Sequence, residues 1–204
     1  MDRGKLIVFE GPDGIGKSQL SSDVAAWLNQ VGISTQKLSF PGNAENTLGK
    51  LVYEIHHKYR DLFQIPAINP LSMQTLHIAA HIDEIDRAIK PAINSGSWIV
   101  LDRFWWSTWV YGMASSVNRK CLDLIIEAER VYWGDLVPTV IFMVRRAAPV
   151  RQEHSEEVFG RLSQLYDELA DRERSAALIH AIENRELATS NSEIRAVIEK
   201  IRRK

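Results

Sequence analysis

Apolar residues in this chain follow two spacings that alternate from one end to the other. Short unbroken runs, Lys5 to Phe9, Trp98 to Leu101 and Thr139 to Val144, have the length and composition of strands buried on both faces. Ile33 to Phe40 and Ala177 to Ile182 are predicted as two further strands. Between the runs, apolar positions recur every three or four residues: Leu20, Val24, Trp27, Leu28 and Val31; Leu48, Leu51, Val52, Ile55 and Tyr59; Leu122, Ile125 and Ile126; Val158, Leu162, Leu165 and Leu169. Each set is one inward stripe of a helix. A long helix is predicted from Asn69-Pro70, an N-cap followed by proline at the first helical position, through Met73, Leu76, Ala80, Ile85 and Ile89. Pro91 is expected to kink it and Ser95-Gly96 to end it. Ser190 and Glu193 have the spacing of a capping box for a terminal helix carrying Ile194, Val197, Ile198 and Ile201. Strand alternating with helix throughout predicts an α/β protein, a three-layer α/β/α sandwich around a parallel sheet of about five strands.

The first strand runs directly into Gly11-Pro12-Asp13-Gly14-Ile15-Gly16-Lys17-Ser18, which fits Gly, four free positions, then Gly-Lys-Ser. A glycine-rich turn opening a helix is a phosphate cradle. Gly14 and Gly16 let backbone amides approach an anion, and the helix N-terminus adds partial positive charge. In this motif Lys17 reaches the β- and γ-phosphates and the Ser18 hydroxyl coordinates Mg2+. Gly11, Asp13, Gly14, Ile15, Gly16, Lys17, Ser18 and Gln19 are therefore the candidate ATP-binding residues.

The third strand ends in Asp102-Arg103. A carboxylate at that point suits the Mg2+ shell, directly or through water, and the planar fork of Arg103 suits phosphate oxygens. The fourth strand ends in Arg145-Arg146, with Arg151 soon after, and reads as a lid whose arginines fold over a transferring phosphate. Phe104 to Tyr111 holds five aromatics in eight positions; Phe104 and Tyr111 are expected near the ligand and the tryptophans in packing. His56 and His57 are adjacent on one helix and point in different directions, which argues against a shared metal. His77 and His81, four apart, read as polar helix positions rather than metal ligands.

Composition narrows the class. In 204 residues, enough for one domain, 25 basic side chains nearly balance 26 acidic ones, so no nucleic-acid polymer is expected as a partner. The single cysteine, Cys121, excludes an internal disulfide and fits a reducing, cytoplasmic setting. No apolar run approaches a membrane span and no leader precedes the first strand, so no membrane partner is expected.

Taken together the motifs resemble the thymidylate kinase family nearly end to end. The resemblance rests on Phe9-Glu10-Gly11 through Ser18, on Phe40-Pro41 at the exit of the second strand followed by Leu48-Gly49, and on Gly96, Asp102-Arg103-Phe104, Ser107 and Tyr111. Arg161 and Tyr166 match the helix after the lid. The resemblance implies a single P-loop kinase domain over residues 1–204, a lid at about 145–157, a homodimer, and transfer of the γ-phosphoryl of Mg·ATP to a deoxynucleoside monophosphate. It implies that Asp13 takes the sugar 3′-hydroxyl, Arg103 the acceptor phosphate and Asp102 the metal shell. Phe104 and Tyr111 would flank the deoxyribose, with Arg145, Arg146 and Arg151 supplying charge from the lid. The acceptor set so implied is Asp13, Phe40, Pro41, Asn43, Ile78, His81, Arg103, Phe104, Ser107 and Tyr111. The chain departs from the family pattern at Gly42-Asn43, where a phosphate-gripping arginine is usual. It departs again at Ile78 and Ile82, where alignment on Gly96 calls for a base-stacking phenylalanine and an arginine. Such losses weaken the ordinary acceptor by roughly a hundredfold. Two alternatives therefore stand beside the first reading: a kinase of another small acceptor, and a nucleotide-binding regulator without turnover.

Overall fold

The computed structural model describes residues 3–151 and 153–203. Gln152, inside the predicted lid, lies outside the described residues. Five strands, β1 (Leu6–Glu10), β2 (Thr35–Ser39), β3 (Trp98–Asp102), β4 (Val140–Arg145) and β5 (Ile179–Glu183), form one sheet in the order β2-β3-β1-β4-β5. Every pairing is parallel, with Phe9 opposite both Asp102 and Phe142. Among the described residues eight α-helices flank it: α1 (Lys17–Gln30), α2 (Leu48–Phe63), α3 (Pro70–Glu84), α4 (Lys90–Asn94), α5 (Trp105–Ala114), α6 (Arg119–Trp133), α7 (Glu156–Glu173) and α8 (Leu187–Arg202).

The central strands are apolar on both faces because both faces are covered. Leu6 and Val8 of β1, Ile99 and Leu101 of β3, and Ile141 and Met143 of β4 pack with Ile78, Ile85, Trp106 and Leu165. The intervening residues, Ile7, Phe9, Val100 and Phe142, pack with Leu20, Val24 and Leu28 of α1 and Ile194 and Ile198 of α8. The period of two along each strand thus sorts side chains into two cores. The predicted α/β/α architecture is the one observed. β1 and β3, which sit inside the sheet, bring Glu10 and Asp102 to the same edge, where the glycine-rich loop begins.

Two local expectations change, and the tryptophans pack as expected. The terminal helix starts at Leu187, so Ser190 is an interior residue, buried, with its hydroxyl 3.0 Å from Asn184 Oδ1. Ser190 holds a long-range partner rather than a cap. The long helix bends before Pro91 instead of at it: residues Ile85–Ile89 form a π turn, with Lys90 N–H bonded to the Ile85 carbonyl. Proline lacks an N–H for the carbonyl four residues back, and the wider turn absorbs that mismatch. The aromatic run after Asp102 is itself a helix, α5, whose Trp105, Trp106 and Trp109 are buried in the core, as packing residues.

Candidate active site

The glycine-rich loop is fixed by close backbone contacts. Gly16 has φ +93°, and a Cβ there would stand 2.6 Å from Asn184 Nδ2, which donates to the Ile15 carbonyl at 2.7 Å. Asn184 is held in turn by Ser190 and by Arg146, whose guanidinium donates to the Asn184 carbonyl at 2.6 Å. Lys17 opens α1 almost wholly buried, its ammonium donating to the Pro12 carbonyl. Burial pushes its pKa down, against the pull of Asp102 and Glu10. Ile15 sends its side chain into the core, so only its backbone belongs to the loop. Gln19 is exposed and bonds Asp23 one turn along.

Beside the loop, Asp102 ends β3 buried, and its Oδ1 has no hydrogen-bond partner among the described residues. Ser18 and Asp102 line the same cavity. A hydroxyl and an orphaned carboxylate oxygen at the mouth of a phosphate cradle fit a hard, oxygen-loving Mg2+. Arg103 follows with φ +75°, an uncommon conformation for a residue with a side chain. Its N–H is tied to the Phe9 carbonyl at 3.0 Å. One arm of its guanidinium donates to Ser107 Oγ at 3.1 Å and the other to Asp13 Oδ1. Tyr111 donates to the second oxygen of Asp13.

Sequence reasoning missed the residue that organises this junction. Glu10, fully buried at the end of β1, accepts from Phe104 N–H at 2.7 Å, Ser107 N–H at 3.0 Å and Ser107 Oγ at 2.8 Å. Burial raises its pKa, while the Ser107 hydrogen bond and the charges of Arg103 and Lys17 pull the other way. Tyr166 is 2.8 Å from Ser107 Oγ on the far side. A glutamate closing an otherwise apolar strand was the available signal, since a buried carboxylate must have partners. Ser107, expected to touch the acceptor, lines the cavity with its hydroxyl already committed to Glu10, Tyr166 and Arg103.

The cavity, about 680 Å³, runs from Asp13 and Ser18 past Phe40, Pro41, Asn43, Asp102, Arg103, Phe104 and Tyr111 to a far wall of Tyr53, His56, His57, Gln74, His77 and His81. Ile78 is not on it. Its side chain is buried in the core against the sheet, and the cavity-facing positions of α3 are instead His77 and His81. Lys37 and Ser39 of β2 also line it, and Lys37 Nζ bonds Ser22 Oγ at 2.9 Å; neither was singled out from sequence. The arginines at the end of β4 and just after it lie elsewhere. Arg145 pairs with Asp167 of α7 at 2.5 Å, Arg146 is on Asn184, and Arg151 is exposed with its carbonyl against Gly14. From that segment it is Glu153 and His154 that line the cavity, with His154 Nε2 3.5 Å from Asp13.

The four histidines of the far wall interact. His56 Nδ1 is 2.9 Å from His77 Nε2, and the rings of His56 and His57 stack at 4.8 Å. No group of three or more metal-binding side chains forms among the described residues. Burial holds the His77 pKa well below its ordinary value, reinforced by His81, His56 and His57. Its native form therefore binds fewer protons than the unfolded chain once the pH drops below about 6.5. Stability from this site is fully present above that pH and is lost as the pH falls toward the depressed value, by at most about 1.4 kcal/mol per unit. The expected result is a lower Tm at pH 5.5 than at pH 7.5, with a smaller difference in His77→Gln; equal differences in the two proteins would refute the assignment.

A parallel sheet whose strand ends deliver a glycine-rich phosphate loop, an acidic residue and an arginine to one cavity defines a P-loop α/β enzyme of the nucleotide-handling class. The family model described as thymidylate kinase matches residues 9–192. A thymidylate kinase of Legionella pneumophila (strain Paris) is 30% identical over 212 residues, covering 96% of this chain and 94% of that protein. One of Nitrosomonas eutropha is 32% identical over 183 residues, covering 89% and 81%. The crystal structure of thymidylate kinase from Ehrlichia chaffeensis superposes with a TM-score of 0.78 at 20% identity, covering 96% of this chain and 99% of that one. The chain belongs to the thymidylate kinase family, whose members are ATP-dependent nucleotide kinases.

Proposed function

We propose that this protein transfers the γ-phosphoryl group of Mg·ATP to a deoxynucleoside monophosphate, with thymidylate as the acceptor. The observation that carries the reading is the convergence of Ser18, Asp102 and Arg103 on one cavity of about 680 Å³, with Lys17 of the same loop buried next to Ser18. Amides of Gly14, Gly16 and Lys17 hold the donor phosphates, and Lys17 leaves the Pro12 carbonyl to reach them. Ser18 and Asp102 hold Mg2+, which when bound neutralises phosphate charge. Arg103 leaves Asp13 for the acceptor phosphate, and the freed Asp13 carboxylate accepts the sugar 3′-hydroxyl. Transfer then needs only alignment and charge neutralisation, with no covalent step on the protein.

We assign the segment 145–157 as a lid on a single domain. Val150 N–H bonds the Gly14 carbonyl at 2.7 Å, which supports direct coupling between this segment and the phosphate loop. Arg145, Arg146 and Arg151 would have to leave their present positions to act on a phosphate. Exposed Leu124 and Val131, two turns apart on α6, support a homodimer, and the lone exposed Cys121 supports a reducing, cytoplasmic setting. Among the described residues no helix is long and apolar enough to cross a membrane.

A second reading keeps the donor chemistry and changes the acceptor, and it is favoured by exposed Asn43 and the histidine wall, which replace the cation and aromatic usual in the family. A panel of nucleotides and nucleosides assayed with Mg·ATP separates the readings. Preferred phosphorylation of thymidine monophosphate is the expected result. Preferred turnover of another acceptor establishes the second, and ATP binding with no turnover of any acceptor leaves a regulator.

A further inference from the structure

His81 is held more firmly than a ligand-contacting side chain needs to be. It is 1% exposed, its ring lies 3.9 Å from that of Phe40 at an interplanar angle of 11°, and its Nδ1 is 2.9 Å from Glu129 Oε2. Glu129, on α6 and fully buried, takes the Trp133 indole N–H on its other oxygen at 3.1 Å. Indole nitrogen only donates and a carboxylate only accepts, so the proton shared with His81 sits on Nδ1. Nε2 has no hydrogen-bond partner among the described residues, while the ring lines the cavity. In a neutral imidazole with Nδ1 protonated, Nε2 is an acceptor.

The geometry points to Glu129 as a positioning residue that fixes the His81 tautomer, so that His81 Nε2 accepts a hydrogen bond from a base with an N–H on its pairing edge. This rests on the acceptor class proposed above and names what within that class is chosen. Thymine and uracil carry such a donor at the ring imide. Cytosine presents a bare nitrogen at the same place, which would set lone pair against lone pair. A site whose buried polar atom is left unpaired rejects the wrong partner far more strongly than one lined only by apolar groups. Among the described residues the neighbouring His56–His77 pair has no comparable anchor on a carboxylate, so it is His81 that carries the discrimination.

Glu129→Gln tests this through chemistry rather than size. The Trp133 N–H still demands an oxygen, so the carboxamide must turn its NH2 toward His81, whose Nδ1 then accepts and whose proton moves to Nε2. The wall changes from acceptor to donor. At pH 8 with Mg·ATP, wild type is expected to favour thymidine over deoxycytidine monophosphate in kcat/KM by roughly tenfold to a hundredfold. In Glu129→Gln that ratio is expected to fall at least about tenfold, mainly through a higher KM for thymidine monophosphate, with the Kd for ATP unchanged. His81→Gln is the second variant. Its amide can rotate to offer either group, so the ratio collapses toward one even if Glu129→Gln does not fold. Thymidine monophosphate turnover with a ratio indifferent to these substitutions overturns the inference alone. If wild type uses neither nucleotide but another acceptor, the acceptor assignment falls and the inference falls with it.

Discussion

Lys17→Met is expected to abolish measurable phosphoryl transfer, lowering kcat by at least about 10² to 10³, the scale of losing one preorganised donor at a developing charge. The fold is expected to survive the change. Lys17 is buried and its pKa is depressed by that burial, so the native state already carries an ammonium in an environment that resists it. A methionine of similar length fills the same space and removes the desolvation cost, but it also removes the charge that offsets buried Glu10 and Asp102, so Tm is expected to fall while the protein still melts cooperatively. ADP release measured at saturating ATP, alongside a thermal melt, checks both halves. Wild-type turnover in a well-folded Lys17→Met protein means that the loop is not the donor site.

Arg103→Ala has the second largest effect and acts on the other substrate. In the resting site its guanidinium spans Asp13 and Ser107, and its ring-face contact with Tyr111, 5.7 Å from the centroid, holds the fork in one plane. Removing it takes away a charge-assisted contact of about 1.5 to 3 kcal/mol, or roughly tenfold to a hundredfold in acceptor KM. It also leaves the Asp13 carboxylate without its guanidinium partner, held by Tyr111 alone of its two hydrogen-bond donors, so kcat is expected to fall as well. ATP affinity is expected to change little. Arg103→Lys restores charge but not the two-pronged geometry, and a partial recovery of KM separates those contributions. Unchanged acceptor KM and kcat in Arg103→Ala would remove the residue from the acceptor site.

The donor half of the site was legible in the chain because its parts are adjacent in sequence. Gly11 to Ser18 is one turn between a strand and a helix, and Asp102-Arg103 is one strand end, so spacing alone identifies them. The far wall of the cavity is assembled from α2, α3, α5 and the segment after β4, and there the reading slipped by one residue. Counting back from Gly96 along a regular helix arrives at Ile78. The cavity-facing positions are His77 and His81, while Ile78 is turned into the core. The arginines after β4 show a related limit. Basic residues after β4 were evident, but Asp167 and the Asn184 carbonyl, the groups that hold Arg145 and Arg146, come from elements far along the chain.

Alternating strand runs and helical stripes determined the sheet, its parallel sense and its two cores, because periodicities of two and 3.6 are properties of neighbouring residues. The glycine spacing determined the phosphate loop in the same way. Tertiary structure alone decided that Glu10 grips the Arg103 turn, that Asn184 clamps the loop, and that Glu129 sets the proton on His81. Each is a buried polar group satisfied by a partner many residues away, and no local pattern records such a partner until the chain has closed around it.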